Sequence, residues 1–198
     1  QTNMPNEAIQ HALAAEDYPQ AVNLLENHAM DMINRGYAKT VNAWVQAIPA
    51  QWGYHSPKTN LAFAWMHLLR GDYPEALPYL ERLEQVFSST QVGQEESRAL
   101  RAEWLVIRSL RLNMEGKVTE SLAMVTEALE IVPVEENRVR SLAYFGLAFT
   151  YEELNAYDLA VANYHAAIQY GRAAGNLITE MLSLSSLAEF VFVHGQLH

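Results

Sequence analysis

The sequence predicts an all-α chain built as a stack of antiparallel helical hairpins. A turn phrase recurs at Gly36-Tyr37, Gly71-Asp72-Tyr73, Gly116-Lys117-Val118, Asn155-Ala156-Tyr157 and Gly195-Gln196-Leu197. Its copies lie about 40 positions apart, a period suited to helix-turn-helix units with variable outer loops. Apolar residues on both sides of each phrase return at intervals of three and four, the mark of one helical face. Alternation of period two is absent over any useful length, so essentially no sheet is expected.

Size and composition support that class. The chain has 198 residues, half of them apolar and 18% charged, which is enough to bury a full core without crosslinks. It has no cysteine, so a disulfide framework, a thiolate metal site and a cysteine nucleophile are excluded. No stretch reaches the roughly 20 uninterrupted apolar residues of a spanning helix, and the first residues lack the basic start and apolar middle of a signal peptide. A cytoplasmic protein away from the membrane is expected. Because the chain opens on Gln1 and His198 falls just after a turn phrase, it reads as a fragment of a longer protein. Thirteen Lys and Arg against twenty-three Asp and Glu give a net charge of −10, the wrong sign for displacing counterions from phosphates, so no direct nucleic-acid contact is expected.

Taken in order, residues 1–50 form an amino-terminal helical layer, closed by a loop from Ala50 to Pro57. More regular hairpins follow over 57–198, the whole forming a single repeat domain. Around Gly71 the frame places Phe63, Ala64 and His67 before the turn and Tyr73, Ala76, Leu77 and Leu80 after it. A loop from Ser88 to Gly93 leads to the next unit. Around Gly116 the frame gives Ser109, Leu112, Ser121, Val125, Ala128 and Leu129, ended by Pro133.

Beyond the loop Val132 to Glu136 lies the best-formed unit, about Ser141 to Arg172. There Tyr144, Leu147, Ala148 and Tyr151 precede the turn, and Ala160, Tyr164, Ala167 and Ile168 follow it. This is the tetratricopeptide pattern nearly position for position. Ala148 and Ala160 are small because two helices cross closely there, while large neighbours three and four positions away fill the surrounding groove. The segment up to Gly195 begins a further hairpin. The expected architecture is a tetratricopeptide-like right-handed superhelix of about five hairpins, the last incomplete.

Catalytic signatures are missing. Neither a phosphate-cradling Gly-x-x-x-x-Gly-Lys-Ser/Thr loop nor a dinucleotide glycine fingerprint occurs, and no nucleophile elbow or His-Glu-x-x-His helix is present. His67 and His165 sit on packed or boundary faces and read as structural. The adjacent pairs Glu95-Glu96, Glu135-Glu136 and Glu152-Glu153 point about 100° apart on a helix and do not face each other. No enzyme activity, no cofactor and no metal is therefore expected.

What remains is a surface for binding. In a stack of this kind the first helix of each pair lines the concave side. Counting from the turns, the residues pointing into the groove are Leu61, Trp65 and Leu68, then Val106, Leu110 and Asn113, then Leu142, Phe145, Phe149 and Glu152, then Ser185, Glu189 and Phe192. Such a groove is apolar and aromatic with a few acids, a composition that suits a small ligand or a peptide-like segment. Arg98, Arg101, Arg108 and Arg111 form a basic run whose expected role is pairing with Glu95, Glu103 or a neighbouring hairpin.

The amino end carries a phrase of its own. It runs His11-Ala12-Leu13-Ala14-Ala15-Glu16-Asp17-Tyr18, Ala21, Leu24-Leu25-Glu26, His28-Ala29, Arg35-Gly36-Tyr37, Val41, Trp44-Val45 and Ala47-Ile48-Pro49. With Pro57 to Trp65, Arg70-Gly71-Asp72, Ala76, Ala173 to Asn176 and Gly195, it resembles the helical segment of the large ATP-dependent, MalT-like transcription regulators of the LuxR family. That resemblance implies a sensor domain that binds a small-molecule inducer or a protein modulator. It also implies an ATPase module before the domain and a helix-turn-helix module after it, both outside these residues. The alternative is a general tetratricopeptide scaffold that docks peptide segments, although the Lys, Arg and Asn usual in clamps for acidic tails are scarce at the groove positions.

Overall fold

Each hairpin reverses direction with the same local geometry. At Gly116 the backbone turns left-handed, φ 73°. The Gly116 amide donates to the Asn113 carbonyl at 2.9 Å, and the Lys117 amide donates to Leu112 at 2.8 Å. This pair of bonds satisfies carbonyls that the helix end leaves open. Asn155 makes the equivalent turn with φ 55°, a conformation that asparagine tolerates better than most residues. The Glu16 turn, also at φ 55°, lay outside the recurring phrase because glutamate is no sequence signal for it.

The computed structural model describes residues 4–49, 52, 56–89 and 95–195. Among them are ten helices and no strand: α1 (Met4–Ala14), α2 (Tyr18–Asn34), α3 (Ala38–Ala47), α4 (Pro57–Leu68), α5 (Tyr73–Ser89), α6 (Glu95–Met114), α7 (Val118–Ile131), α8 (Asn137–Glu153), α9 (Tyr157–Ala174) and α10 (Leu177–Gly195). The all-α class is as the sequence predicts. Most of the loop from Ala50 to Pro57, and positions 90–94 of the next one, lie outside the described residues; α5 runs on through Ser88 to Ser89. The helices group into two compact units, residues 1–91 and 92–198.

In the first unit α1 packs on α2 and α3, α2 on α3 and α4, and α4 on α5. The α2 stripe Ala21, Leu25, Ala29 and Ile33 is buried at every fourth residue, which fixes the face that α2 turns inward. Asp17 accepts from the Gln20 amide to cap α2, and Ser56 accepts from the Thr59 amide to cap α4, both at 3.2 Å. Helix α4 is buried continuously from Thr59 to Met66, polar Thr59 and Asn60 included, so this stretch has no wet face.

In the second unit the packing repeats. Helix α6 packs on α7 and α8, α7 on α8, α8 on α9 and α10, and α9 on α10. Helices α6 and α8 thus each touch their own partner and the next first helix, the arrangement expected of stacked hairpins. Ala148 and Ala160 are both fully buried, as their role at a close crossing requires. Tyr144 stacks on Tyr170 with ring centroids 5.2 Å apart, joining α8 to α9. No described helix is long and apolar enough to cross a membrane.

Candidate functional site

Where α6, α7 and α8 meet, the apolar core of the second unit is interrupted by hydroxyls. Ser109, Ser121 and Thr150 are fully buried and Asn113 nearly so. The Asn113 amide nitrogen donates to Thr150 Oγ1 at 2.9 Å, Ser121 Oγ donates to the Ser109 carbonyl at 2.8 Å, and the Ser121 and Thr150 hydroxyls are 3.1 Å apart. One atom, Asn113 Oδ1, is buried without a protein partner. Asn113 therefore belongs to an internal network and not to an open surface, which is a different environment from the groove that counting from the turn assigned to it. Replacing Thr150 by valine, which keeps the shape and removes the hydroxyl, should cost about 1–3 kcal/mol because the Asn113 donor is left unpaired. Urea unfolding of the variant against the parent reads that loss.

Beside this core, α8 and α10 present the more accessible candidates. Phe145, Phe149 and Glu152 are half-buried on α8, Leu110 is half-buried on α6, and Ser185, Glu189 and Phe192 are exposed on α10. Val106 and Leu142 are buried. In the first unit Leu61 is fully buried, Trp65 is 9% exposed and Leu68 is half-buried, so α4 offers little open surface at these positions.

A residue that the sequence pattern assigned to the core alone organises the α8 and α10 set. The ring of Tyr164 on α9 is buried, 6.1 Å from that of Phe145. Its hydroxyl donates to Glu152 at 2.6 Å. Burial first, and then the Glu152 carboxylate, push the phenol well above its ordinary range, with Glu189 acting in the same direction. Tyr164 therefore stays a neutral donor, and the carboxylates of Glu152 and Glu189 share its neighbourhood. The apolar period explains the ring but carries no sign of what its hydroxyl reaches.

The basic run is largely engaged, but within its own hairpin and not with the partners its spacing suggested. Arg101 pairs with Glu127 at 3.0 Å, Arg111 with Glu115 at 2.7 Å, and the Arg108 guanidinium lies 4.9 Å from the Trp104 ring centroid. Arg98 is exposed. Glu103, one of the anticipated partners, is fully buried and is held in a bidentate pair by Arg138 on α8, at 2.8 and 2.6 Å. The Glu95 side chain lies outside the described residues. His67 stacks on Tyr79 at 5.7 Å, a structural role, whereas His165 is exposed and not on a packed face. Among the described residues no three His, Cys, Asp or Glu side chains converge as a metal cluster would require.

Comparison with known proteins gives a consistent set of relatives. The chain is 31% identical over 139 residues to the HTH-type transcriptional regulator MalT of Serratia proteamaculans, covering 70% of this chain and 15% of that protein. It is 30% identical over 130 residues to the MalT of Yersinia enterocolitica, covering 66% and 14%, and 28% identical over 139 residues to that of Yersinia pestis. The chain thus spans about 15% of the length of the curated relatives it matches. No family model and no solved structure matches it.

Proposed function

Because the chain is a MalT-like helical domain, we propose that it is the sensing and interaction arm of a LuxR-family transcription regulator, taking a small-molecule inducer or a protein modulator along the first helices of its second unit. On this reading the domain works in the cytoplasm and carries out no catalytic step itself. Binding is passed to an ATPase module and a DNA-reading module elsewhere in the polypeptide. The observation that carries the reading is the row formed by Phe145, Phe149 and Glu152 on α8 and Ser185, Glu189 and Phe192 on α10, all at least partly open to solvent. Aromatic faces beside a few oriented polar groups are the usual make-up of a small-ligand site.

The test is a calorimetric titration of candidate sugars, metabolites and modulator proteins, repeated on the double variant F145A/F149A. A ligand that stacks on these rings should lose at least tenfold in affinity, equivalent to about 1.4 kcal/mol. Unchanged affinity in the double variant would remove the proposed site. A peptide segment that binds where small molecules do not would instead favour a general docking scaffold.

A further inference from the structure

The second unit repeats one arrangement twice, and the two copies differ in charge. Counted from the turns, Asn113 on α6 corresponds to Glu152 on α8, and Val125 on α7 to Tyr164 on α9. In the first copy the polar residue is neutral and the next hairpin closes over it, since Asn113 donates to Thr150 on α8 at 2.9 Å. In the second copy the polar residue is a carboxylate, and the place of Thr150 is taken on α10 by Phe190, which has no polar side-chain group. Glu152 is served instead from its own hairpin, by the Tyr164 hydroxyl at 2.6 Å, a contact that valine at the same place could not make.

That hydroxyl leaves Glu152 only partly satisfied. An ionised carboxylate accepts about four hydrogen bonds, and one neutral donor does not balance its charge. Among the described residues no Lys or Arg pairs with Glu152 or with Glu189 on α10. The sequence explains why: twelve of the thirteen Lys and Arg precede Ser141, and the thirteenth, Arg172, is paired with Glu180 at 2.7 Å. The buried Glu103, by contrast, has the guanidinium of Arg138. Glu152 is thus a half-buried anion in a stretch whose one Lys or Arg is engaged elsewhere. Phe145 and Phe149 stand two turns and one turn before it on the same side of α8, both half-buried.

From these observations we propose that the α8 row takes its ligand through a positively charged group, a guanidinium or a protonated amine, seated against the Phe145 and Phe149 rings and the Glu152 carboxylate, with Glu189 adding to the attraction. The proposal rests on the reading of this row as the ligand site and adds the charge of what fills it. A ring face attracts a cation through its quadrupole, and the chain makes such a contact once already, with the Arg108 guanidinium 4.9 Å from the Trp104 centroid. Glu152 supplies the opposite charge and open lone pairs, while the Tyr164 hydroxyl holds the carboxylate in place.

The probes are N-acetyl-argininamide and N-acetyl-citrullinamide, which share a shape and differ in that an uncharged urea replaces the guanidinium. Amide chemical-shift titration of the full chain should show at least about tenfold tighter binding of the arginine compound. In Glu152→Gln, which keeps the shape and an acceptor for Tyr164, the preference should fall to within about twofold. Glu153→Gln removes the same charge from the exposed neighbour, about 100° round the helix, and should leave the preference intact. Glu189→Gln, an exposed change on α10, should lower it about threefold, and gives the same test if Glu152→Gln does not fold. Equal losses in Glu152→Gln and Glu153→Gln would mean diffuse attraction to an acidic surface and would overturn the proposal. So would equal binding of the two compounds, or binding of neither. If F145A/F149A still weakened a ligand found in the wider titration, the row would then stand without the cation. A tetrapeptide carrying the same arginine beside a phenylalanine separates the sources. Much tighter binding of the peptide assigns the cation to a protein side chain, and equal affinity assigns it to a small molecule.

Discussion

Replacing Arg138 by alanine is expected to remove about 3 kcal/mol of stability, near the lower end of the range for breaking a buried ion pair. Its partner Glu103 is fully buried on α6, and the two groups meet in a bidentate fork at 2.8 and 2.6 Å. The cost comes from what is left behind, since truncation leaves a carboxylate inside the protein without its guanidinium. Arg138 itself remains 23% exposed at its side chain, which gives water some access and keeps the figure from the top of the range. The pair as a whole contributes less than its rupture costs, because both groups lose hydration on folding. A double variant, E103L/R138M, should therefore recover most of the lost stability. Urea unfolding of the single and double variants, taken as a thermodynamic cycle, separates the two effects. A single variant as stable as the parent would show that solvent screens the pair.

This pair also marks how far the sequence could be read. The helices and their turns were legible because they rest on local rules. Glycine at the turns, apolar residues at intervals of three and four, and small residues at Ala148 and Ala160 each have a conformational or steric cause within one hairpin. Contacts between hairpins were not legible in the same way. Glu103 was expected to serve an arginine of its own helix, yet it pairs across to α8. Asn113 occupied a groove position by counting, but its amide reaches Thr150 on the next hairpin and is drawn inward. Leu61 and Trp65 failed to be open for another reason: α4 is buried on every side from Thr59 to Met66, so no count from its turn could single out a wet face. Phe145 and Phe149 on α8 are half-buried, each one position past a residue of the packed stripe, and so keep part of their surface open. Tyr164 shows the remaining blind spot, since periodicity assigns a ring to the core but says nothing about the direction of its hydroxyl.

Gly146 gives the second large effect, and it is one that the repeat pattern did not single out. It lies inside α8 next to Leu147 and Ala148, where glycine is otherwise unfavourable by about 1 kcal/mol relative to alanine. The space around it supplies the reason. A Cβ there would stand 3.2 Å from Val125 Cγ2, 3.4 Å from Ser109 Oγ and 3.6 Å from Val106 Cγ1, so three helices converge on a position with almost no room for a side chain. Gly146→Ala sets a small steric cost, borne by a valine methyl, against the helix-propensity gain, and should change stability little. Gly146→Leu must push α6 and α7 away from α8, and is expected to cost about 3 kcal/mol, at the upper end of the range for overpacking. The further substitution Val125→Ala should return part of that loss by opening space beside the new side chain. If G146L were as stable as G146A in denaturant unfolding, the three helices could not be as closely apposed at this point as the 3.2 Å separation requires.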